Sequence, residues 1–281
     1  MSTGSDFETG QGLNHVEASL SYLTDSSEKP VTYMYEPPPG VSAGSVKSSR
    51  FPAPVFDARP ILGQLSLDRQ GFVLTHAETA VKNFYEADGV RAVYYPEVER
   101  LVKRVTGAPR VHVFDHNVRC LPMAKRKENG AREPVKFAHN DYTFKSGPQR
   151  VRDLLPAEAD ELLKHRFAVI NVWRPIRGPV EESPLAVCDA RSIAPRDWVA
   201  SDLKYRDRTG EVFSITFNPD HRWFYFPRMQ REEALLLKCY DSIDDGRARF
   251  TAHTAFDDPT SPPGAFARES IETRTLVFFD D

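Results

Sequence analysis

The stretch VKFAHNDYT, residues 135–143, contains a histidine and an aspartate two residues apart in a segment with strand character. Alternate side chains of a β-strand point to the same face, so His139 and Asp141 can both reach one metal ion. The spacing by itself is a weak signal, because a histidine two residues before an aspartate occurs by chance in many chains. A metal site therefore needs a third ligand from elsewhere in the sequence.

A histidine that can complete such a site lies in FTAHT, residues 250–254, which also has strand character. Two histidines and one carboxylate on one face of an iron ion leave the remaining coordination positions open. This arrangement is typical of non-haem Fe(II) oxygenases. The sequence therefore predicts His139, Asp141 and His253 as metal ligands and as the catalytic centre.

Arg268 and Ser270 follow downstream and share one face of a predicted strand. A planar guanidinium binds a carboxylate through paired hydrogen bonds, and the serine hydroxyl adds a second donor. We expect this pair to bind the distal carboxylate of 2-oxoglutarate. Arg274 lies on the same face, and the sequence leaves open whether it is the clamp instead, or a salt-bridge partner of Glu272.

The second half of the chain consists mostly of short β-branched and aromatic runs separated by Pro, Gly and Asp. These predicted strands span residues 111–118, 135–144, 167–173, 185–190, 212–217, 223–226, 234–240 and 270–279. Apolar spacing predicts one helix over residues 78–85 that continues through 94–105, and another over 149–165. The pattern favours a β-rich α+β fold, a double-stranded β-helix (jelly roll, cupin-like) core braced by helices on one side. A nucleotide-binding sheet is disfavoured, since no GxGxxG or P-loop motif occurs.

The chain has 281 residues, of which 40% are hydrophobic and 27% charged, which is enough to bury one large core. Residues 1–15 begin with Ser, Thr, Gly and acidic side chains, so we expect a flexible tail there. We expect residues 16–281 to form a single jelly-roll oxygenase domain. Its first part, with three prolines in residues 35–44, is predicted to be an extended N-terminal arm.

The formal net charge of −3 is too small to recruit nucleic acid or an anionic membrane surface, so we expect a small-molecule partner. The three cysteines are widely spaced and lack a zinc pattern, which predicts reduced thiols. The N-terminus has no secretory signal, and no apolar run reaches membrane-spanning length. We therefore expect a cytoplasmic location; the oligomeric state is left open.

The predicted strand over residues 167–173 supplies further candidates. Asn171 and Trp173 share one face, and Arg174 lies on the other. We expect Asn171 to lie near the co-substrate. Trp173 and Arg174 are candidate substrate-binding residues, although an arginine beside a Pro-Gly turn is usually exposed.

His112 and His116 are rival metal ligands, because Asp115 lies beside them and the two histidines share a strand face. Their spacing differs from that of His139 and Asp141, and no second motif completes them. We favour structural hydrogen bonding for both. The aromatic run at residues 223–226 could line a pocket, but aromatic residues in a strand more often form core.

Six longer stretches carry a family resemblance: NVWRPIRGPV (171–180), PLAVCDARS (184–192), NPDHRWFYFPRM (218–229), LLLKCYDS (235–242), FTAHTAFDDP (250–259) and RESIETRTLVFF (268–279). They resemble the fungal hydroxylase/desaturase family that includes gibberellin desaturase and aspergillic-acid-type hydroxylases. Some bacterial relatives of that family are named as cephem methoxylation proteins. The resemblance extends from about Ser19 to the C-terminus, because SLSYL, EPPPG, YYPEVERLVKRVTGA and VFDHNVR occur in the family's order.

The resemblance implies an Fe(II)/2-oxoglutarate-dependent dioxygenase of secondary metabolite biosynthesis. It maps His139, Asp141 and His253 to the iron ligands, and Arg268 and Ser270 to the co-substrate clamp. Dioxygen and 2-oxoglutarate are then consumed, succinate and CO₂ are released, and a small molecule is hydroxylated or desaturated. Two alternatives stay open: a cupin-like iron dioxygenase without 2-oxoglutarate, and a non-catalytic jelly-roll binding or accessory protein. The sequence does not determine the substrate.

Overall fold

Short strands dominate the computed structural model, which describes residues 12–280. The strands are β1 His15–Leu23, β2 Val31–Tyr33, β3 Ser48–Asp57, β4 Phe72–His76, β5 Arg110–Arg119, β6 His139–Asn140, β7 Phe167–Pro175, β8 Leu185–Cys188, β9 Trp198–Lys204, β10 Thr209–Ile215, β11 Trp223–Tyr225, β12 Glu233–Asp241, β13 His253–Ala255 and β14 Ser270–Phe278.

Within residues 12–280 these strands form two sheets. One has nine strands in the order β1-β3-β11-β8-β13-β6-β10-β9-β2, and the other has five in the order β4-β12-β7-β14-β5. The inner faces pack on each other, since Val187 and Phe224 of the first sheet join Val169 and Leu276 of the second in one buried cluster. This is a double-sheet jelly roll, as the sequence predicts.

The helices are short apart from one. They are α1 Ala87–Gly89, α2 Tyr95–Thr106, α3 Leu121–Lys125, α4 Ser146–Leu154 and α5 Ala159–Leu162, with a π-helical turn at Val90–Tyr94 and 3₁₀ turns at Arg59–Gln64, Ala190–Ser192 and Pro195–Asp197. Val98 and Val102 of α2 pack with Ile170 and Val172 on the outer face of the five-stranded sheet. Strand β7 is therefore buried on both faces, which explains its continuous apolar sequence. None of the described helices has the length and apolar character needed to cross a bilayer.

The N-terminal part of the chain contributes strands. Strand β1 pairs antiparallel with β3 at one edge of the nine-stranded sheet, and β2 pairs parallel with β9 at the other. Residues 35–44 lie between these strands as irregular chain. Of the predicted tail, residues 1–11 lie outside the described residues, while Leu13 is buried and His15 begins β1.

The predicted helices are only partly correct. Residues 78–85 are irregular, because Glu97 in the first turn of α2 accepts hydrogen bonds from the Thr79 hydroxyl at 2.7 Å and the Ala80 amide at 2.9 Å. The predicted helix over residues 149–165 divides into α4 and α5, because Pro156 disfavours helical backbone at the residue before it. Strand β9 has no counterpart among the predicted strands, and β6 retains only two residues of the predicted strand over 135–144.

Candidate active site

Neighbouring strands bring the two candidate histidine ligands together. His139 begins β6 and His253 begins β13, and the two residues are directly paired across these antiparallel strands. Paired residues of adjacent strands point to the same face. Their rings lie with centroids 4.5 Å apart and planes tilted by 54°.

Asp141 completes a group of three metal-binding side chains. One ligand atom from each of His139, Asp141 and His253 lies within 4.8 Å of the other two. His139 Nε2 and Asp141 Oδ1 are 3.5 Å apart. All three side chains are largely buried. The structure thus brings together the three residues that the sequence singles out as ligands.

Backbone carbonyls hold both imidazole rings in one orientation. His139 Nδ1 donates to the Phe137 carbonyl at 2.7 Å, and His253 Nδ1 donates to the Thr251 carbonyl at 3.1 Å. A carbonyl oxygen can only accept, so the proton is on Nδ1 and each Nε2 lone pair is available to a metal. Such contacts of the second ring nitrogen are usual for metal-binding histidines.

The second oxygen of the Asp141 carboxylate is held by Asn171. Asn171 Nδ2 donates to Asp141 Oδ2 at 2.7 Å, and Asn171 is fully buried on β7. This contact leaves Oδ1 on the side of the histidines. Asn171 therefore lies beside the candidate ligand, whereas the sequence placed it near the co-substrate.

The electrostatics of the group suit a bound cation. Burial disfavours the charged form of Asp141, but the adjacent imidazole of His139 outweighs burial and holds the pKa of the Asp141 carboxyl well below its usual value. Burial and the neighbouring His139 lower the pKa of His253 to about 4. The site therefore keeps a carboxylate and a neutral imidazole at neutral pH, the forms that bind metal.

Arg268 lines the same cleft as the histidines, and Ser270, two residues further along, is fully buried on the inner face of β14. Burial and the nearby Arg119 lower the pKa of the Arg268 guanidinium to about 9, and this group lies over the Trp173 ring at 5.5 Å from its centroid. Arg268 Nη1 donates to the Ser183 carbonyl. Among residues 12–280, neither Arg268 Nε nor Ser270 Oγ has a hydrogen-bond partner, although both atoms are buried. Buried donors of this kind call for a ligand that accepts hydrogen bonds.

The cleft that joins these groups is narrow. Its free volume of about 10 Å³ holds little more than one water-sized sphere, so lining side chains must move when a larger molecule binds. It is lined by Arg119, Val135, His139, Trp173, Leu185, His253, Ala255, Arg268 and Glu272. Trp173 thus lies at the site, as expected of a substrate-binding candidate.

The other two arginine candidates are engaged elsewhere. Arg274 donates to both oxygens of Asp115, through Nε at 2.6 Å and Nη2 at 2.8 Å. Arg174 points to the outer face of the five-stranded sheet, where it donates to the Ala77 and Arg231 carbonyls. Because alternate residues of a strand face opposite ways, Arg174 cannot share the cleft with Trp173. The structure therefore argues against Arg174 as a substrate-binding residue.

The remaining alternatives, the two histidines of β5 and the aromatic run of β11, make contacts typical of a structural role. The ring of His116 contacts the Tyr95 hydroxyl at 2.9 Å, and neither His116 nor His112 joins a metal-binding group within the described residues. The aromatic run at residues 223–226 is buried core.

Two lining residues, Arg119 and Glu272, are absent from the set of candidates that the sequence provides. Glu272 was considered only as a partner of Arg274. Its position on the same strand face as Ser270 was the available signal, whereas Arg119 had none because β5 reaches the cleft only through its pairing with β14.

The donor set fits Fe(II). Two imidazole nitrogens and one carboxylate oxygen form the facial set of non-haem iron sites. The unpartnered Arg268 and Ser270 donors fit the free carboxylate of a keto acid bound beside it.

Known proteins are similar to this chain over nearly its whole length. Residues 20–278 match a family model described as an oxidoreductase/YMDC permease-like domain. The hydroxylase/desaturase efuI of Hormonema carpetanum is 36% identical over 265 residues, covering 85% of this chain and 88% of that protein. The Fe(II)/2-oxoglutarate-dependent dioxygenase nvfI of Aspergillus novofumigatus is 35% identical over 263 residues, covering 88% and 90%. A solved structure of the iron and alpha-ketoglutarate-dependent endoperoxidase NvfI superimposes with a TM-score of 0.86 at 29% identity, covering 95% of this chain and 99% of that one.

Fold, site and relatives define a jelly-roll, iron- and 2-oxoglutarate-dependent class of oxygenase. The chain belongs to the oxidoreductase family of this model, together with the hydroxylase/desaturase and Fe(II)/2-oxoglutarate-dependent dioxygenase relatives. The resemblance to fungal hydroxylases/desaturases that the sequence carries is thereby confirmed. The link to bacterial cephem methoxylation proteins stays a prediction.

Proposed function

We propose that the chain uses Fe(II), 2-oxoglutarate and dioxygen to hydroxylate or desaturate a small molecule, with release of succinate and CO₂. His139, Asp141 and His253 bind the iron. Arg268 and Ser270 bind the distal carboxylate of 2-oxoglutarate. The names of the relatives, which include hydroxylase/desaturase and Fe(II)/2-oxoglutarate-dependent dioxygenase, support this reaction class.

One observation carries the proposal. Three ligand atoms lie within 4.8 Å of one another, and both histidines have Nδ1 bound to a backbone carbonyl, so that both Nε2 atoms are free. A group of acidic and imidazole side chains without metal would not require this orientation. It matches what a metal ion needs from its ligands.

Bound iron with 2-oxoglutarate supplies dioxygen activation and removal of hydrogen from the substrate. The protein positions these reactants. Asn171 fixes the Asp141 carboxylate, and the Phe137 and Thr251 carbonyls fix the imidazoles. Arg268 and Ser270 anchor the far end of the co-substrate, while Trp173 covers the guanidinium and keeps water from it.

The two alternative functions differ in what they ask of Arg268 and Ser270. A cupin-like dioxygenase without 2-oxoglutarate would have no use for the buried donors Arg268 Nε and Ser270 Oγ, which have no partner in the described chain. A non-catalytic binding protein would not need three metal ligands in this arrangement. These observations favour the 2-oxoglutarate-dependent reaction.

The test is an anaerobic titration of the purified chain with Fe(II) and then 2-oxoglutarate, followed by visible absorption. We expect an absorption band that appears only when both are present, and succinate release once oxygen is admitted. His139→Ala should abolish the band, while the exposed control His76→Ala should retain it. Iron binding without any effect of 2-oxoglutarate would indicate the cupin-like alternative, and no iron binding would indicate the non-catalytic one.

Product analysis decides between the two outcomes of the reaction. A hydroxylated product gains one oxygen atom, whereas a desaturated product loses two hydrogen atoms, so mass spectrometry separates them.

We also propose that residues 16–281 act as one domain in the cytoplasm. Both sheets supply groups to the site: His139 and His253 come from one, and Asn171 and Ser270 from the other. The three cysteines are free and buried, in keeping with a reducing compartment.

A further inference from the structure

Glu272 is a buried carboxylate in the catalytic cleft with no role in the proposed chemistry. It is 6% exposed and lines the cleft together with His139, His253 and Arg268. Strand alternation places it on the inner face of β14, where it is paired with Trp173 of β7. Its side chain therefore faces the space in which substrate must approach the metal group.

No residue of the described chain, 12–280, forms a hydrogen bond or ion pair with the Glu272 carboxylate. Its neighbours Arg119, Arg274 and Asp141 influence it only through their charges. A buried carboxylate without hydrogen bonds is costly, so such a group in a folded protein calls for a ligand.

The arginines around Glu272 make their hydrogen bonds to other groups and none of them to its carboxylate. Arg274 gives Nε and Nη2 to Asp115, and Arg268 Nη1 donates to the Ser183 carbonyl. Arg119 uses Nη1 for the Glu133 carbonyl at 2.7 Å. A structural ion pair therefore does not explain Glu272.

Arg119 provides a donor on the same cleft. A guanidinium has five N–H groups, so the bond to the Glu133 carbonyl leaves others for a ligand. Strand pairing places Arg119 of β5 opposite Ser270 of β14, two residues before Glu272. The cleft thus presents an acceptor and a donor together.

We propose that Glu272 and Arg119 recognise a polar group of the substrate that carries a donor and an acceptor side by side, as in a secondary amide, a lactam or a hydroxy ketone. Glu272 accepts the N–H or O–H, and Arg119 donates to the carbonyl oxygen. This subsite rests on the proposed function, since the substrate must lie beside the bound iron. It lies beside the Arg268 and Ser270 clamp but uses different side chains.

The probes are 2-pyrrolidinone, which has an N–H beside its carbonyl, and N-methyl-2-pyrrolidinone, which lacks the donor. Ligand-observed NMR titrations use the chain loaded with Zn(II) and 2-oxoglutarate, because zinc is redox-inert. We expect the N–H compound to bind about fivefold or more tightly, as for a hydrogen bond to a charged group. In Glu272→Leu the preference should disappear, and in Glu272→Gln it should be partly retained because the amide oxygen still accepts.

Glu128→Leu is the matched control, since Glu128 forms a surface ion pair with Arg126. It should keep the full preference. Equal binding of the two compounds by the unmodified chain, failure of 2-pyrrolidinone to bind, or an unchanged preference in Glu272→Leu would each overturn the subsite.

The Fe(II) and 2-oxoglutarate absorption band separates this inference from the proposed function. If titration of the band gives Glu272→Leu the same 2-oxoglutarate affinity as the unmodified chain, the clamp is intact. Loss of the probe preference in this variant is then due to loss of the subsite. A large loss of 2-oxoglutarate affinity in this variant would instead assign Glu272 to the co-substrate and refute the proposal. Absence of the band in the unmodified chain would refute the proposed function itself.

Discussion

At the scale of single residues, the candidate site depends on groups that hold the ligands as well as on the ligands themselves. Asn171 binds Asp141, and Asp115 binds Arg274. The second contact favours one answer to the question of which arginine is the clamp, which the sequence leaves open. Arg274 already donates two hydrogen bonds to one carboxylate, so that of these two arginines Arg268 is the one with an unpartnered buried donor.

Arg268→Ala should weaken 2-oxoglutarate binding about tenfold or more, because charge-assisted hydrogen bonds contribute roughly 1.5–3 kcal/mol. Anaerobic titration of the absorption band measures this affinity. Arg274→Ala is the matched comparison and should leave the affinity nearly unchanged. The opposite ranking of the two variants would transfer the clamp to Arg274.

Asn171→Leu should reduce metal affinity by about 10- to 100-fold, since groups that orient metal ligands typically contribute that much. Competition with a chelating dye measures it in the absence of substrate. Thr273→Val is the control, because Thr273 is equally buried but lies on the outer face of β14. If both variants bound metal like the unmodified chain, Asn171 would have no positioning role.

At the scale of elements, one buried polar network ties the N-terminal strand to the jelly roll. Trp223 Nε1 of β11 donates to the Tyr22 hydroxyl of β1 at 2.6 Å, and His221 contacts that hydroxyl at 3.4 Å. His221 Nε2 in turn donates to Asp197 Oδ2 at 3.1 Å. The network explains how residues predicted as an extended arm become an integral edge of the sheet.

Tyr22→Phe should lower the free energy of unfolding by about 1–3 kcal/mol, because it leaves the buried Trp223 N–H without an acceptor. Urea denaturation measures the change. Tyr33→Phe, at a half-buried position on β2, should cost less than about 0.5 kcal/mol. Equal stability of the Tyr22 and Tyr33 variants would contradict a role of the network in holding β1.

At the scale of the whole molecule, three buried or half-buried histidines make stability depend on pH. Burial lowers the folded-state pKa of His112, His116 and His221 below the ordinary value of 6.5. Below that value the unfolded chain binds more protons than the folded one. The contribution of these three histidines is therefore full above pH 6.5 and declines as the pH falls through it. His139 acts in the opposite direction, because Asp141 outweighs burial and raises its pKa.

We expect the melting temperature of the metal-free chain to fall between about pH 8 and pH 5, with the decline beginning near the ordinary histidine pKa. His221→Gln should reduce the pH dependence, while the exposed His76→Gln should not alter it. A melting temperature that rises over this acid range would show that the sign is wrong.

Much of the architecture follows from local sequence. Strands β5, β7, β12 and β14 were predicted nearly to their ends, because β-branched and aromatic runs bounded by turn residues fit a buried sheet. The helix predicted at residues 78–85 was wrong because its residues bind Glu97, a contact made across the fold. Such contacts cannot be predicted from the local periodicity of the sequence.

The sequence by itself determined the jelly-roll class, the candidate ligands His139, Asp141 and His253, and the pairing of Arg268 with Ser270, because strand alternation and residue chemistry are local properties. Only the tertiary structure decided that Arg274 belongs to Asp115, that Asn171 holds Asp141, and that Glu272 and Arg119 share the cleft. The physical reason is that these contacts join different strands, and the strand order that creates them results from the packing of two whole sheets.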